Sequence, residues 1–234
     1  MSISPKTQWT LVAAGLVAHA DHVLAGEECD RLMSLVEREV DGDEYAQWMT
    51  AIGDPEKLEA ILGDLVTPPA ESHREILEEA WLMAVVDGER ADEELEVLRR
   101  IATRLGVEAE QLDTWREAWT AAQHGYAEVA VATLVWVLGT DGSLGPDAQP
   151  VLDQLVHDLP TTHEHRATLT KTDRPAQSAA DVEQQIRNLG TPQRRDLGRR
   201  LTELMAGADR TNDAETRWKA LADALELSAE SAPE

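Results

Sequence analysis

The stretch Leu82 to Val107, LMAVVDGERADEELEVLRRIATRLGV, constrains the fold of this chain more than any other. An apolar run stops at Asp87-Gly88, the chain restarts on acidic residues, and a second apolar pattern follows. Leu95, Leu98, Ile101, Ala102 and Leu105 fall at i, i+3, i+6, i+7 and i+10, the spacing of one helix face. Glycine after Asp87 is a natural helix end, and Asp92-Glu93-Glu94 suits the positive N-terminus of the next helix. The stretch therefore reads as a helical hairpin with carboxylates at its elbow.

The same hairpin recurs, which makes internal repetition the organising feature of the chain. Leu16 to Asp21 lines up with Leu82 to Asp87, and without a gap Glu28 falls on Glu94, Cys29 on Leu95, Leu32 on Leu98 and Leu35 on Ile101. A third copy runs through Trp136 to Gly142, with Leu152 and Leu155 in the places of Leu98 and Ile101. A fourth begins at Leu204 to Asp209; an elbow two residues shorter brings Trp218, Leu221 and Leu225 onto Leu98, Ile101 and Leu105. Asp21 and Asp87 lie 66 residues apart, Asp141 and Asp209 68. Such spacing favours two similar domains in tandem, 1–122 and 123–234, over an open solenoid.

A helix ending in Asp-Gly, five further residues, then Glu opening the next helix and leucines after it: on this pattern the chain resembles the TerB-like tellurite-resistance domains, found also at the N-terminus of DjlA-type co-chaperones. Asp87-Gly88 with Glu94 carries the full motif, and Asp21 with Glu28 carries it except that His22 replaces glycine. The resemblance covers residues 10–122 well, and 123–230 only through the degenerate third and fourth copies. It implies an all-α fold and a non-enzymatic, cytoplasmic stress-response module with a protein partner, one in a membrane-associated complex among the options.

Helices are expected at about 5–21, 27–40, around Tyr45 and Trp48, from Pro55, and at 70–87, 92–105, 108–122, 126–139, 146–158, 178–189, 193–208 and 213–227. Asp54 before Pro55 pairs an N-cap with proline at the first helical position. No segment alternates with period two, so no sheet is expected. Ser228 onward lacks apolar anchors and should fray.

With 45 acidic against 21 basic residues, the net charge is −24. That balance argues against nucleic acid and anionic membrane as partners, since both require basic patches. It favours cations, basic protein segments, or a saline cytoplasm in which acidic surfaces keep proteins soluble. The acids concentrate in the first 120 residues, 27 against 10 bases. The one cysteine, Cys29, rules out an internal disulfide framework and reads as a small core residue. The opening MSISPKTQ has no signal-peptide character, and Val129 to Gly139 is too short to span a bilayer, so a soluble cytoplasmic protein is expected.

The chemistry, if any, lies at the elbows. In the first half each Asp stands at a helix C-terminus and each Glu in the next first turn. Packed about a pseudo-twofold, Asp21, Glu28, Asp87 and Glu94 can converge, and four carboxylates together require a hard cation such as Ca²⁺ or Mg²⁺, or protons. An Asp at a helix C-terminus is disfavoured by the helix dipole, which calls for something to offset it. Against this, Asp-Gly is a common turn and Glu in a first turn is ordinary helix chemistry. A standard EF-hand is excluded, because counting from Asp87 places Ala91 at position 5 and Leu98 at position 12. The third and fourth copies carry Ala148 and Ala214 where the second has Glu94, so a cation site is expected in the first domain only.

Other groupings are weaker. His19, Asp21 and His22 lie within one turn and offer a transition-metal alternative. His163-Glu164-His165 reads as a surface turn or short helix, and Trp115 with Trp119 as core anchors. No phosphate-binding glycine loop, nucleophile elbow, zinc-protease motif or CxxC occurs, so no organic cofactor and no enzymatic activity are expected. The alternative function is a metal-free, co-chaperone-like scaffold whose acidic surface docks basic segments.

Overall fold

The computed structural model describes residues 3–21, 24, 26–85, 91–140, 142–170, 175–206 and 211–225. Asp87, His22, Asp141, Asp209 and the tail from Ser228 lie outside the described residues. Among those described there is no strand, only an isolated bridge between Thr140 and Ser143. No described helix is long and apolar enough to cross a membrane.

Helix α1, Pro5–Ala18, opens with Ser4 accepting the Thr7 amide at 3.1 Å and Pro5 in the first turn, where its missing N–H costs nothing. Ten consecutive residues, Trp9 to Ala18, are buried. A helix apolar on all sides must lie inside its domain, and α1 does. Around it pack α2 (Gly26–Glu39), α3 (Tyr45–Ile52), α4 (Pro55–Asp64), α5 (His73–Met83) and α6 (Asp92–Arg104). Gly15 admits Leu58 of α4 to close range, since a Cβ there would lie 2.6 Å from Leu58 Cδ1. Amphipathic α2 and α6 bury Leu32, Leu35 and Val36, and Leu98, Ile101 and Ala102.

The expected break between 122 and 126 is absent: α7 runs as one helix, Ala109–Leu138. Gln123-His124-Gly125 has the polarity of a loop but contains no proline, and one interior glycine costs only about 1 kcal/mol relative to alanine. Apolar anchors on either side outweigh that, with Trp119 buried in one core and Tyr126 in another. The remaining helices are α8 (Gln149–Asp158), α9 (His163–Leu169), α10 (Ala179–Asn188), α11 (Thr191–Ala206) and α12 (Asn212–Leu221). His163 and His165 thus open a short helix, and His165 stacks on His124 with ring centroids 3.9 Å apart.

The chain divides into two compact units, Met1–Ala121 with Pro160–Thr162, and Ala122–Leu159 with His163–Glu234. Each has its own apolar core. In the second, the succession from the end of α7 through α12 repeats that of α1 to α6: a helix, an elbow, a helix, a short helix, a ten-residue helix, then another elbow-linked pair.

Arginines close several helix C-termini, where unpaired carbonyls carry partial negative charge. Arg104 donates to Leu62 O and Gly63 O at the end of α4, Arg194 to Leu189 O after α10, and Arg200 to Asp158 O at the end of α8. Arg217 donates to Trp136 O at 2.7 Å and Gly139 O at 2.6 Å at the end of α7. Gly139 is itself constrained: an added Cβ would lie 2.5 Å from Val135 O and 2.7 Å from Ser143 O, both backbone atoms. Gly139→Ala must therefore open the Thr140–Ser143 turn, and overpacking of this kind costs about 1–3 kcal/mol. Thermal unfolding followed by circular dichroism should show the second unit melting several degrees lower.

Candidate acidic elbow site

The first elbow starts where α1 stops. The His19 amide donates to Gly15 O, and its ring Nε2 lies 2.8 Å from Ile52 O. The carbonyl accepts a hydrogen bond from that nitrogen, which ties His19 to α3 and gives it a structural role. Asp21 follows, exposed. Glu28, third residue of α2, is buried at 4 % exposure. At the second elbow Glu94, third residue of α6, is buried at 6 %. Neighbouring Cys29 and Leu95, which the repeat sets in register, are both half-buried.

Glu94 has a local task. Its Oε2 accepts the Ala91 amide at 2.8 Å, closing the N-terminus of α6 from the inside. Ala91 has no side-chain acceptor to return the favour, so only half of a capping box forms. In the fourth copy the arrangement is reversed: Thr211 Oγ1 accepts the Ala214 amide at 3.2 Å, and Ala214, at the Glu94 position, contributes no side-chain polarity. Capping by either end satisfies the same kind of orphan donor.

Among the described residues no group of three or more His, Cys, Asp or Glu is arranged to hold a metal ion. Asp87 lies outside those residues. The second unit supplies geometry at the corresponding positions. Ala148, just before α8, and Ala214, in the first turn of α12, line one and the same cavity of about 190 Å³, together with Leu138, Val151 and Thr211. The two residues that the repeat equates with Glu28 and Glu94 therefore look into a common space.

Acidic residues on α5 complete the electrostatics of the first unit. Glu79 is held by Arg31 at 3.2 Å and Arg38 at 3.4 Å, joining α5 to α2. Burial pushes the Glu78 carboxyl above its ordinary range, with Arg74 opposing the shift and Glu79 adding to it. Trp119 is buried and Trp115 packs against the core with its ring centroid 6.1 Å away, so the pair anchors α7.

Residues 9–117 match the family model of tellurite resistance protein TerB. The N-terminal unit is a TerB domain. Its matched span runs from α1 into the first part of α7 and contains Asp21, Glu28, Asp87 and Glu94. Comparison with curated proteins and with solved structures gave no significant match. The first two elbows lie within the matched residues, whereas the third and fourth lie outside them. Sequence reasoning did not find the carbonyl-capping arginines, whose partners lie as many as 81 residues away, as for Arg217 and Trp136.

Proposed function

We propose that the chain is a non-enzymatic, cytoplasmic TerB-type stress-response module whose first unit binds a hard divalent cation, Ca²⁺ or Mg²⁺, through Asp21, Glu28, Asp87 and Glu94. The observation that carries this reading is the shared cavity of Ala148 and Ala214. If the second unit descends from a duplicated elbow pair, the equivalent Glu28 and Glu94 face one another across the first. Both are buried, and two buried carboxylates sharing a space need a cation or a proton between them. Cation uptake would then set the angle between the hairpins and so the helical faces offered to a protein partner. The TerB match supports a role connected with tellurite resistance.

The test separates charge from capping. Glu→Gln keeps an acceptor for the Ala91 amide but removes the negative charge. Wild-type protein at a hundredfold excess of Ca²⁺ or Mg²⁺ over Kd should gain about 2.7 kcal/mol. Glu28→Gln with Glu94→Gln should unfold normally without cation and lose that gain. A wild-type melting curve that ignores both ions would end the cation reading.

The second reading is a metal-free adaptor whose acidic surface docks basic segments. It is favoured by the Glu94–Ala91 hydrogen bond, which gives Glu94 a structural use, and by the acidity of the first 120 residues. It predicts no cation response and a protein complex that dissociates as salt is raised.

A further inference from the structure

Carboxylates that take up a metal ion have a competitor wherever a guanidinium can reach them, because Arg–carboxylate pairs are charge-assisted and often bidentate. In the first unit Arg31 follows Glu28 by three residues on α2. Side chains at that spacing are neighbours on the helix surface, about 5–6 Å apart at Cβ, well within the reach of an arginine. The corresponding position after Glu94 is Val97, which brings no charge. Arg31 is therefore the internal cation that the first elbow has to contend with.

Its guanidinium is engaged by α5. Arg31 Nη2 donates to Glu79 Oε2 at 3.2 Å. The other oxygen of that carboxylate, Oε1, lies 3.4 Å from Arg38 Nη2, and Arg38 is itself tied to Glu39, its Nε donating to Oε1 at 3.0 Å. Glu79 thus stands between two arginines of one helix, with a separate oxygen for each. The Arg31 and Glu79 side chains are 25 % and 23 % exposed, so their pairing is partly shielded from solvent and salt. Without the Glu79 charge, Arg31 would lose this partner while a buried carboxylate remained one turn away at Glu28.

We propose that Glu79 is a positioning residue for the cation site: by holding Arg31 it keeps an internal guanidinium from taking the place of the metal ion at Glu28. This role rests on the cation reading given above. It makes the two positions interdependent, since Arg31 competes with the ion only once Glu79 has released it.

Calorimetric titration of the full chain with Ca²⁺ tests it through a double-mutant cycle. Glu79→Gln should weaken binding several-fold. Arg31→Gln alone should change it by less than about twofold, yet added to Glu79→Gln it should bring the affinity back to within about twofold of wild type. Glu75→Gln removes the same charge one turn earlier on α5, where the carboxylate pairs with Lys6 and not Arg31, and should leave binding nearly unaltered. A merely loosened fold would not be repaired by deleting the second partner, and the cation-free melting temperatures of the variants report that loss separately. Wild-type affinity in Glu79→Gln, or a double variant as weak as Glu79→Gln, would overturn the role of Glu79. So would purely additive effects at positions 31 and 79, which would reduce them to general charge. In each of those cases wild type still binds Ca²⁺ and the cation reading stands, whereas a wild type that binds none removes both.

Discussion

Trp81→Ala is expected to destabilise the first unit by about 3–5 kcal/mol, the usual cost of deleting a buried aromatic. Trp81 is 1 % exposed on α5, the helix that lies against α1, whose residues from Trp9 to Ala18 are all buried. Its removal leaves a cavity in a core where Ile76, Leu77 and Ala80 of the same helix are themselves fully buried. A second loss adds to the first. The Arg116 guanidinium sits 5.3 Å from the Trp81 ring centroid, and a desolvated cation–π pair of this kind contributes up to about 2 kcal/mol. Arg116 keeps its 2.9 Å bond to Asp113, but its buried Nε has no acceptor. Trp81→Phe retains most of the volume and a weaker ring, so it should cost well under half as much. Urea unfolding followed by far-ultraviolet circular dichroism gives both values. Domains are commonly stable by about 5–15 kcal/mol, so the alanine variant should lose a large share of its stability margin. An alanine variant with the denaturation midpoint of wild type would show that Trp81 contributes little beyond its Cβ.

Most helix positions and the buried stripes were legible in sequence because each is a local signal, although the segments 108–122 and 126–139 form one helix and α9 reads in sequence only as a surface turn or short helix. Leucines at helical spacing, Asp54 before Pro55, and acids in the first turns of α2 and α6 all act within a few residues of where they are read. The continuity of α7 was not legible, since the polar Gln123-His124-Gly125 is helical only by virtue of Trp119 and Tyr126 being buried in separate cores. The part of Glu94 that was legible was its first-turn position. That its carboxylate turns back to Ala91 depends on Ala91 being the N-cap, and no side chain announces an alanine cap. Long-range polar pairs left no trace: Arg104 reaches α4 and Arg217 reaches α7 across the fold, so neither has a spacing to recognise. The same is true of a polar network in the second unit that joins Tyr126 and Asp196, 70 positions apart.

That network centres on Asp196, and Asp196→Ala is expected to cost about 2–3 kcal/mol at neutral pH. Its carboxylate accepts the Tyr126 hydroxyl at 2.7 Å, Arg200 Nε at 2.7 Å and Arg199 Nη2 at 2.8 Å. Breaking a fully buried charge pair costs about 3–5 kcal/mol, and the figure is smaller here because the Asp196 side chain is 35 % exposed. Alanine strands Tyr126, which is 4 % exposed, and leaves Arg200 with the Asp158 carbonyl as its remaining acceptor. Burial alone would push the Asp196 carboxyl up, but the Arg200 guanidinium, with Tyr126 and Arg199 behind it, holds it below the usual carboxylate range. Burial and the adjacent carboxylate push the Tyr126 phenol well above its ordinary value, so it remains a donor at any working pH. A carboxyl whose folded pKa is depressed stabilises the fold above its unfolded value, near 3.9, and loses that contribution as pH falls through the folded value. Wild-type stability should therefore drop below about pH 4 more steeply than that of Asp196→Asn, which has no charge to lose. Asn keeps an acceptor for Tyr126, and Tyr126→Phe alone should cost only about 1 kcal/mol, the net worth of one hydrogen bond. If the Asn variant matched wild type at pH 7 while Ala did not, the hydrogen bonds rather than the charge would hold α11 to α7. If it fell with Ala and the acid slope flattened, the ion pair with Arg200 would be the fastening.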